Sequence, residues 1–462
     1  MTGSARVRPA RTSVPSRRPA GRGTVRGAGV LACALLVGQF LGGTPAAAQP
    51  AAASARAGDL IEVTLDQLRP TQPSLGYDQI FYKLGRYGST KDEDRGKINK
   101  RFDDWCETNG QGAAASVDAD ARLTDPSSFT CTIPLGQETA DSLAQMKTVV
   151  VGPGGALYLT DGHHSLTSFW EAADGGPKTP IRLRVSANLS GLSTADFWKR
   201  MQAQNWVWLK DENGRAITVS QLPTRLGLSR FHDDRYRSLV YFTRGIGYEQ
   251  ADGSAEFLEF LWGGWLRDRI DLSRYDLTSL PSYLDAVRDA SKAMTDLPAD
   301  TVVAGGRTAA ELGRLAEWNG GKKETKGEFG DLAVPLSDSK PGKLAFSLDY
   351  RSRVPATPAC PRTVTGQRAG ALLVTSGTTC LDNARLTGAV LVTPGASLVV
   401  NGSEITGAVQ TVGADTVHIC GSSVTGALSV IGTRSAAVTL SGPGCTANTF
   451  KGPVLVNGTK GA

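Results

Sequence analysis

Leu386-Thr387-Gly388-Ala389-Val390, Ile405-Thr406-Gly407-Ala408-Val409 and Val424-Thr425-Gly426-Ala427-Leu428 repeat one pentapeptide, with Gly388, Gly407 and Gly426 spaced 19 residues apart. Phe450-Lys451-Gly452-Pro453-Val454 reads as a fourth copy, displaced by an insertion around Pro443 and Cys445. A period near 19 with alternating apolar positions makes each unit one coil of a β-solenoid, whose Val and Leu side chains stack on the next coil. One coil alone could not bury them, and a β-sandwich has no reason to repeat a pentapeptide at fixed intervals. Residues 361–462 are therefore assigned to an all-β parallel β-helix (solenoid) domain, with glycines permitting tight corners.

Upstream, the composition changes at each joint. Residues 319–360, with Gly320-Gly321-Lys322-Lys323 and further Gly, Lys and Asp, read as a mobile linker with a second boundary near Pro355 to Pro361. Residues 211–318 have helical periodicity, with Phe231, Tyr236, Tyr241, Phe242, Phe257, Phe260, Trp262 and Trp265 recurring in two groups within which several rings lie three to five residues apart. These rings are expected to be packing core of a helical extension. Over 59–210, extended runs (Ile61 to Val63, Thr148 to Val151, Ala156 to Thr160, Ile181 to Val185) alternate with helical ones (Tyr77 to Tyr87, Ala195 to Gln204), an α+β pattern.

Residues 49–58 form an Ala-rich linker, and before it Arg6, Arg8, Arg11, Arg17, Arg18, Arg22 and Arg26 precede an apolar stretch from Ala28 to Leu41. Residues 1–48 thus read as a bacterial-type signal peptide cut after about Ala48, predicting a secreted protein. The apolar run is short of the roughly 20 residues that span a bilayer, so no stable membrane insertion is expected. Ser16-Arg17-Arg18 lacks the apolar residues of a twin-arginine signal, and Cys33 sits too early in the run for lipidation.

The full chain has 50 Lys and Arg against 44 Asp and Glu, but seven of the 50 leave with the signal, and 43 basic side chains then face 44 acids. Nucleic-acid binding needs a surplus of basic side chains on one face, and the near-neutral mature chain argues against it. Six cysteines remain, in three sequence-local pairs, and in an oxidising compartment the expected bridges are Cys106 to Cys131, Cys360 to Cys380 and Cys420 to Cys445, with other connectivities open.

The segment Leu159-Thr160-Asp161-Gly162-His163-His164-Ser165-Leu166 follows an extended run and opens a helical one. The first N–H groups of a helix are unpaired and the dipole is positive there, so Gly162 to Ser165 can hold a phosphate or carboxylate, with the imidazoles closing over it. The plainer reading is that Asp161-Gly162 makes a turn and the imidazoles satisfy buried carbonyls. A metal is not assigned, because adjacent side chains diverge and no ligand set is evident. No cofactor is assigned.

Read with this turn, Leu65-Asp66-Gln67-Leu68-Arg69-Pro70-Thr71-Gln72-Pro73-Ser74-Leu75-Gly76-Tyr77 and Lys83 resemble the ParB-like family of nucleases, within the ParB and sulfiredoxin superfamily, over roughly Asp59 to Leu209. The resemblance implies an α+β ParB/sulfiredoxin-like domain whose turn binds nucleotide phosphate. Gly162, His163 and His164 would contact phosphate, Asp161 would orient them or act as base, and Arg69, Gln72 and Lys83 would line the same cleft. Ser165 stands where relatives usually place an Arg, and no cysteine occupies the turn, which excludes sulfiredoxin chemistry.

Three functional readings follow. In the first, the secreted domain binds a small phosphorylated or anionic ligand at this turn, and hydrolysis of a phosphate ester would use Asp161, His163 and His164, with Arg69, Gln72, Lys83, Gly162 and Ser165 holding the ligand. In the second, the chain is a non-catalytic surface or matrix protein that self-associates or meets the cell surface through its solenoid. The third, a secreted nuclease, comes from the family resemblance alone.

Overall fold

The computed structural model describes residues 52–250, 254–354, 360–434 and 437–459. The expected signal peptide and its cut after Ala48 lie outside them.

The α+β part is built on a five-stranded sheet. Leu60–Thr64 pairs antiparallel with Pro180–Asn188, which runs parallel to Thr148–Val151; that strand turns back through Leu157–Leu159, whose other edge takes Leu68–Arg69 in parallel. Val149, Val150 and Val151 are all buried because both sheet faces are covered. Val149 and Val151 pack with Leu166 and Phe169 of the helix His163–Glu171, whereas Val150 meets Phe197 and Met201 of the helix Thr194–Ala203. Local chemistry sets the helix starts: the Ser193 hydroxyl accepts the Asp196 N–H, and the Asn99 side chain accepts the Arg101 N–H ahead of the helix Lys100–Thr108. The helix Tyr77–Tyr87 coincides with its expected span.

A second core gathers around the helices Arg235–Thr243, Leu258–Arg267 and Leu280–Thr295. Trp262 and Tyr283 are fully buried there, with the Trp262 indole N–H donating to the Leu312 carbonyl at 2.9 Å. The rings are packing core, as their spacing predicts.

The stretch 319–360 departs from its reading as a mobile linker. Its described residues include the helices Gly327–Leu332 and Lys343–Arg353, and the latter buries Leu344, Ala345 and Phe346. Its Ser347 hydroxyl donates to the Asp78 carbonyl at 2.9 Å, fixing it to the Tyr77–Tyr87 helix. Glycine and lysine content marks the exposed turns of this stretch but hides the short apolar face of the Lys343 helix, which finds its partner 269 residues earlier in the chain.

The C-terminal part is a parallel β-solenoid of about four turns. One sheet stacks Leu372–Val374, Val390–Val392, Val409–Val412, Leu428–Arg434 and Val454–Thr459 in parallel register, and the other runs through Gly377–Thr387, Ala396–Asn401 and Thr416–Cys420. Leu372, Val390, Val409 and Leu428 form one inward ladder and Leu386, Ile405 and Val424 another, all essentially inaccessible to water. Each such side chain contributes about 1.5–3 kcal/mol of burial, which is why the coils hold only as a stack.

All three expected disulfides are present: Cys106–Cys131, Cys360–Cys380 and Cys420–Cys445. The last ties the insertion loop to the third coil across a separation of 25 residues. Replacing Cys420 and Cys445 together by serine is expected to cost the solenoid about 3 kcal/mol through the regained freedom of that loop. All eight tryptophans precede the solenoid, so urea unfolding followed by far-UV circular dichroism should shift while tryptophan fluorescence does not.

Candidate functional site

The turn after Leu157–Leu159 is held by backbone and side chains together. Thr160 N–H donates to the Thr148 carbonyl at 2.9 Å, the Thr148 and Thr160 hydroxyls meet at 2.8 Å, and the chain reverses at Gly162 with φ of +96°. A Cβ at Gly162 would lie 2.6 Å from the Lys147 side chain and in a backbone region that favours glycine, so both constraints fix this residue type. The helix His163–Glu171 then begins with the amides of Gly162 to Ser165 at its N-terminus.

The imidazoles turn inward. His163 Nε2 accepts the Thr71 backbone N–H at 3.1 Å, and His164 Nε2 accepts the Gly76 N–H at 3.0 Å. The Thr71 hydroxyl donates to the Leu159 carbonyl at 2.7 Å, and the Gln72 side chain donates to the Ser74 carbonyl at 2.8 Å. The two histidines therefore latch the Thr71–Gly76 loop, satisfying amides that would otherwise be buried without a partner. Both rings are nearly inaccessible, and burial pushes His163 down to about 3 and His164 well below its ordinary value. For His164 the neighbouring positive charges of Arg237, Arg244 and Lys83 add to the burial effect.

The other candidate residues are spread around this latch. Gln72 sits in the latched loop itself. Asp161 is largely exposed and pairs with Lys147 at 3.4 Å. Arg69 lies at the sheet edge, 5.8 Å above the Tyr158 ring. Lys83 is bound to Asp104 at 2.7 Å, so its charge reaches His164 without its amine being free. Ser165 stands half-buried in the first turn of the helix.

Two arginines complete the surroundings and were absent from the sequence reading. Arg237, from the helix Arg235–Thr243, and Arg244, just after it, share a single carboxylate, Glu259, with Arg237 at 3.3 Å. Arg237 is 4% exposed, and its Nε and NH1 have no hydrogen-bond partner; the same is true of Arg244 Nε. Two guanidiniums against one carboxylate leave this group of three with a net positive charge. The available signal was weak: Arg237 sits inside an aromatic-rich helical run and Arg244 caps its end in extended backbone, so no helical spacing relates the two. Beside them the Trp208 ring stacks on Phe260 at 5.1 Å, and the Trp208 backbone N–H donates to the Thr71 carbonyl at 2.8 Å.

A family model described as "Putative ParB-like nuclease" matches residues 61–268. That stretch is a ParB-like domain. The match runs beyond Leu209 through the helices Arg235–Thr243 and Leu258–Arg267, so Arg237, Arg244 and Glu259 lie inside the ParB-like domain together with the Asp161–Ser165 turn. Among solved structures, the crystal structure of protein Atu1540 from Agrobacterium tumefaciens is similar at 22% identity and a TM-score of 0.35, over 53% of this chain and 96% of that one. No curated protein matches the chain.

Proposed function

We propose that the ParB-like domain binds a phosphate-containing or other anionic ligand in front of the Gly162–Ser165 helix N-terminus. The reading rests on one observation: the buried Arg237 and the partly exposed Arg244 share one carboxylate, Glu259, and the neighbouring Arg and Lys charges that weigh most on His164 are all positive. An anion at the turn would be drawn by this field, by the helix dipole and by Lys147 at the rim. Binding fits the imidazoles better than acid–base catalysis, because their Nε2 lone pairs already hold backbone amides and burial keeps the rings neutral.

The test is thermal unfolding of the mature protein with inorganic phosphate, pyrophosphate and nucleoside monophosphates. A ligand at a hundred times its dissociation constant should stabilise by about 2.7 kcal/mol. Ser165→Glu places a carboxylate in the first helical turn, where it suits the dipole and competes with the ligand. The variant should fold and lose the shift. A wild-type protein unmoved by every phosphate would leave the scaffold reading, in which the solenoid provides surface contact or self-association.

A second reading, phosphodiester cleavage, is favoured by the acids at the turn. Asp161 lies close enough to Glu256 to raise its carboxyl further above the value that burial alone gives it. Two neighbouring carboxylates can contribute to holding a divalent cation, which such cleavage commonly uses to charge-stabilise its transition state. Plasmid and RNA degradation with and without magnesium or manganese, in wild type and Asp161→Asn, decides it.

Export is part of the proposal. Three disulfides suit an oxidising compartment, and among the described residues no helix is long and apolar enough to cross a membrane. A mature N-terminus at or near Gln49 in secreted material would support it.

A further inference from the structure

We propose that the cleft between the ParB-like domain and the solenoid is a second binding site, for a short acidic saccharide. The cleft has a volume of about 520 Å³, within the range of small-ligand sites. One wall is the 220–224 loop with Arg230 and His232; the other is the corner of two solenoid coils, from Thr365 to Gln367 and from Asp382 to Arg385.

Arg230 carries the argument. It is 5% exposed, yet no carboxylate of the described residues lies within ion-pair distance of it. Its NH2 donates to the Gly421 carbonyl at 2.8 Å and its NH1 to the Asn383 side-chain oxygen at 3.4 Å, both neutral acceptors. Burial, and then the nearby Arg225, push its guanidinium down to about 9. Arg225, half-buried, also has no carboxylate within ion-pair distance among the described residues; the acids of the cleft, Glu404, which pairs with Arg385 at 2.9 Å, and Asp382, 4.0 Å from His232, act on Arg230 only through their more distant charge. Arg230, in the cleft wall, and Arg225 next to that wall thus have no carboxylate in contact, and a planar carboxylate matches the guanidinium fork geometry.

The rest of the lining selects the ligand's body. Ser220, Gln221, Thr224, Thr365 and Gln367 offer hydroxyls and amides, no Phe, Tyr or Trp lines the cleft, and Leu222 is its one large aliphatic side chain. Such a surface exchanges hydrogen bonds with sugar hydroxyls and has neither the stacking platforms nor the unbroken basic track of a nucleic-acid groove.

The experiment is a calorimetric titration of the mature protein with trigalacturonate, maltotriose and inorganic phosphate. Trigalacturonate should bind and neutral maltotriose should not. Arg230→Gln, which keeps a donor for Gly421, should weaken trigalacturonate about tenfold, the worth of one hydrogen bond to a charged group. Arg225→Gln should weaken it about threefold, and Ser165→Glu should leave it unchanged. The proposal is overturned by absence of trigalacturonate binding, by equal binding of maltotriose, by both arginine variants binding as wild type, or by phosphate alone binding as tightly and showing the same Arg230 dependence.

Discussion

Gly407→Ala should unfold the solenoid while the ParB-like domain stays intact. A Cβ at this position would sit 2.2 Å from the Gly388 carbonyl oxygen and 2.6 Å from its carbonyl carbon. Those atoms are backbone of the preceding coil, hydrogen-bonded into the stack, and cannot rotate aside. The same relation links Gly388 to Gly370 and Gly426 to Gly407, and it recurs between Gly452 and Gly426 at 2.5 Å. The glycines of the repeat therefore form a column along which successive coils touch, a stronger requirement than the tight corner that the sequence suggests. Overpacking against fixed backbone, added to a φ of +155°, should cost about 3 kcal/mol or more. Far-UV circular dichroism should report an early β-sheet transition, while the unfolding midpoint by tryptophan fluorescence stays in place. Thr406→Ala, one residue away and exposed, should be nearly silent. Equal behaviour of the two variants would contradict the column.

His164→Ala should cost about 2–4 kcal/mol at pH 8, because it strands the buried Gly76 N–H and leaves a cavity. The pH dependence separates a neutral latch from a charged catalytic ring. The imidazole titrates near 6.5 in the unfolded chain and well below that in the folded protein, so the unfolded state takes up the proton first. The stability His164 provides is complete above pH 6.5 and is lost progressively as the pH falls. The gap between wild type and His164→Ala should accordingly shrink between pH 7 and pH 4, and the same holds for His163, whose folded value is about 3. Urea unfolding across that range measures it; a gap that widens toward acid would mean a protonated ring in the folded state.

At the turn itself, the order strand, Asp161-Gly162, helix was readable from residue types, and so was the presence of a ParB-like domain. The direction of the imidazoles was not, because their acceptors are taken by Thr71 and Gly76, some ninety residues away. Nor was the role of Lys83, whose amine is claimed by Asp104 and acts on the site through its charge alone. The Arg237–Arg244–Glu259 group was hidden for a similar reason. Periodicity marks which helix face is buried but says nothing of what lies opposite, and here Arg237 and Arg244 meet Glu259 of the following helix.

Periodic and local information was therefore decided by the sequence alone: the 19-residue solenoid repeat, the three near-neighbour disulfides and the α+β and helical segments. Each depends on residues a few positions or one coil apart, where chain geometry leaves little choice. Only the tertiary structure decided which polar groups meet across the chain: the inward latch of His163 and His164, the shared Glu259, the docked helix Lys343–Arg353 and the unpaired Arg230 at the junction. Such meetings are set by how whole elements pack on their apolar faces, and the polar partners follow from that packing with no pattern of their own in the sequence.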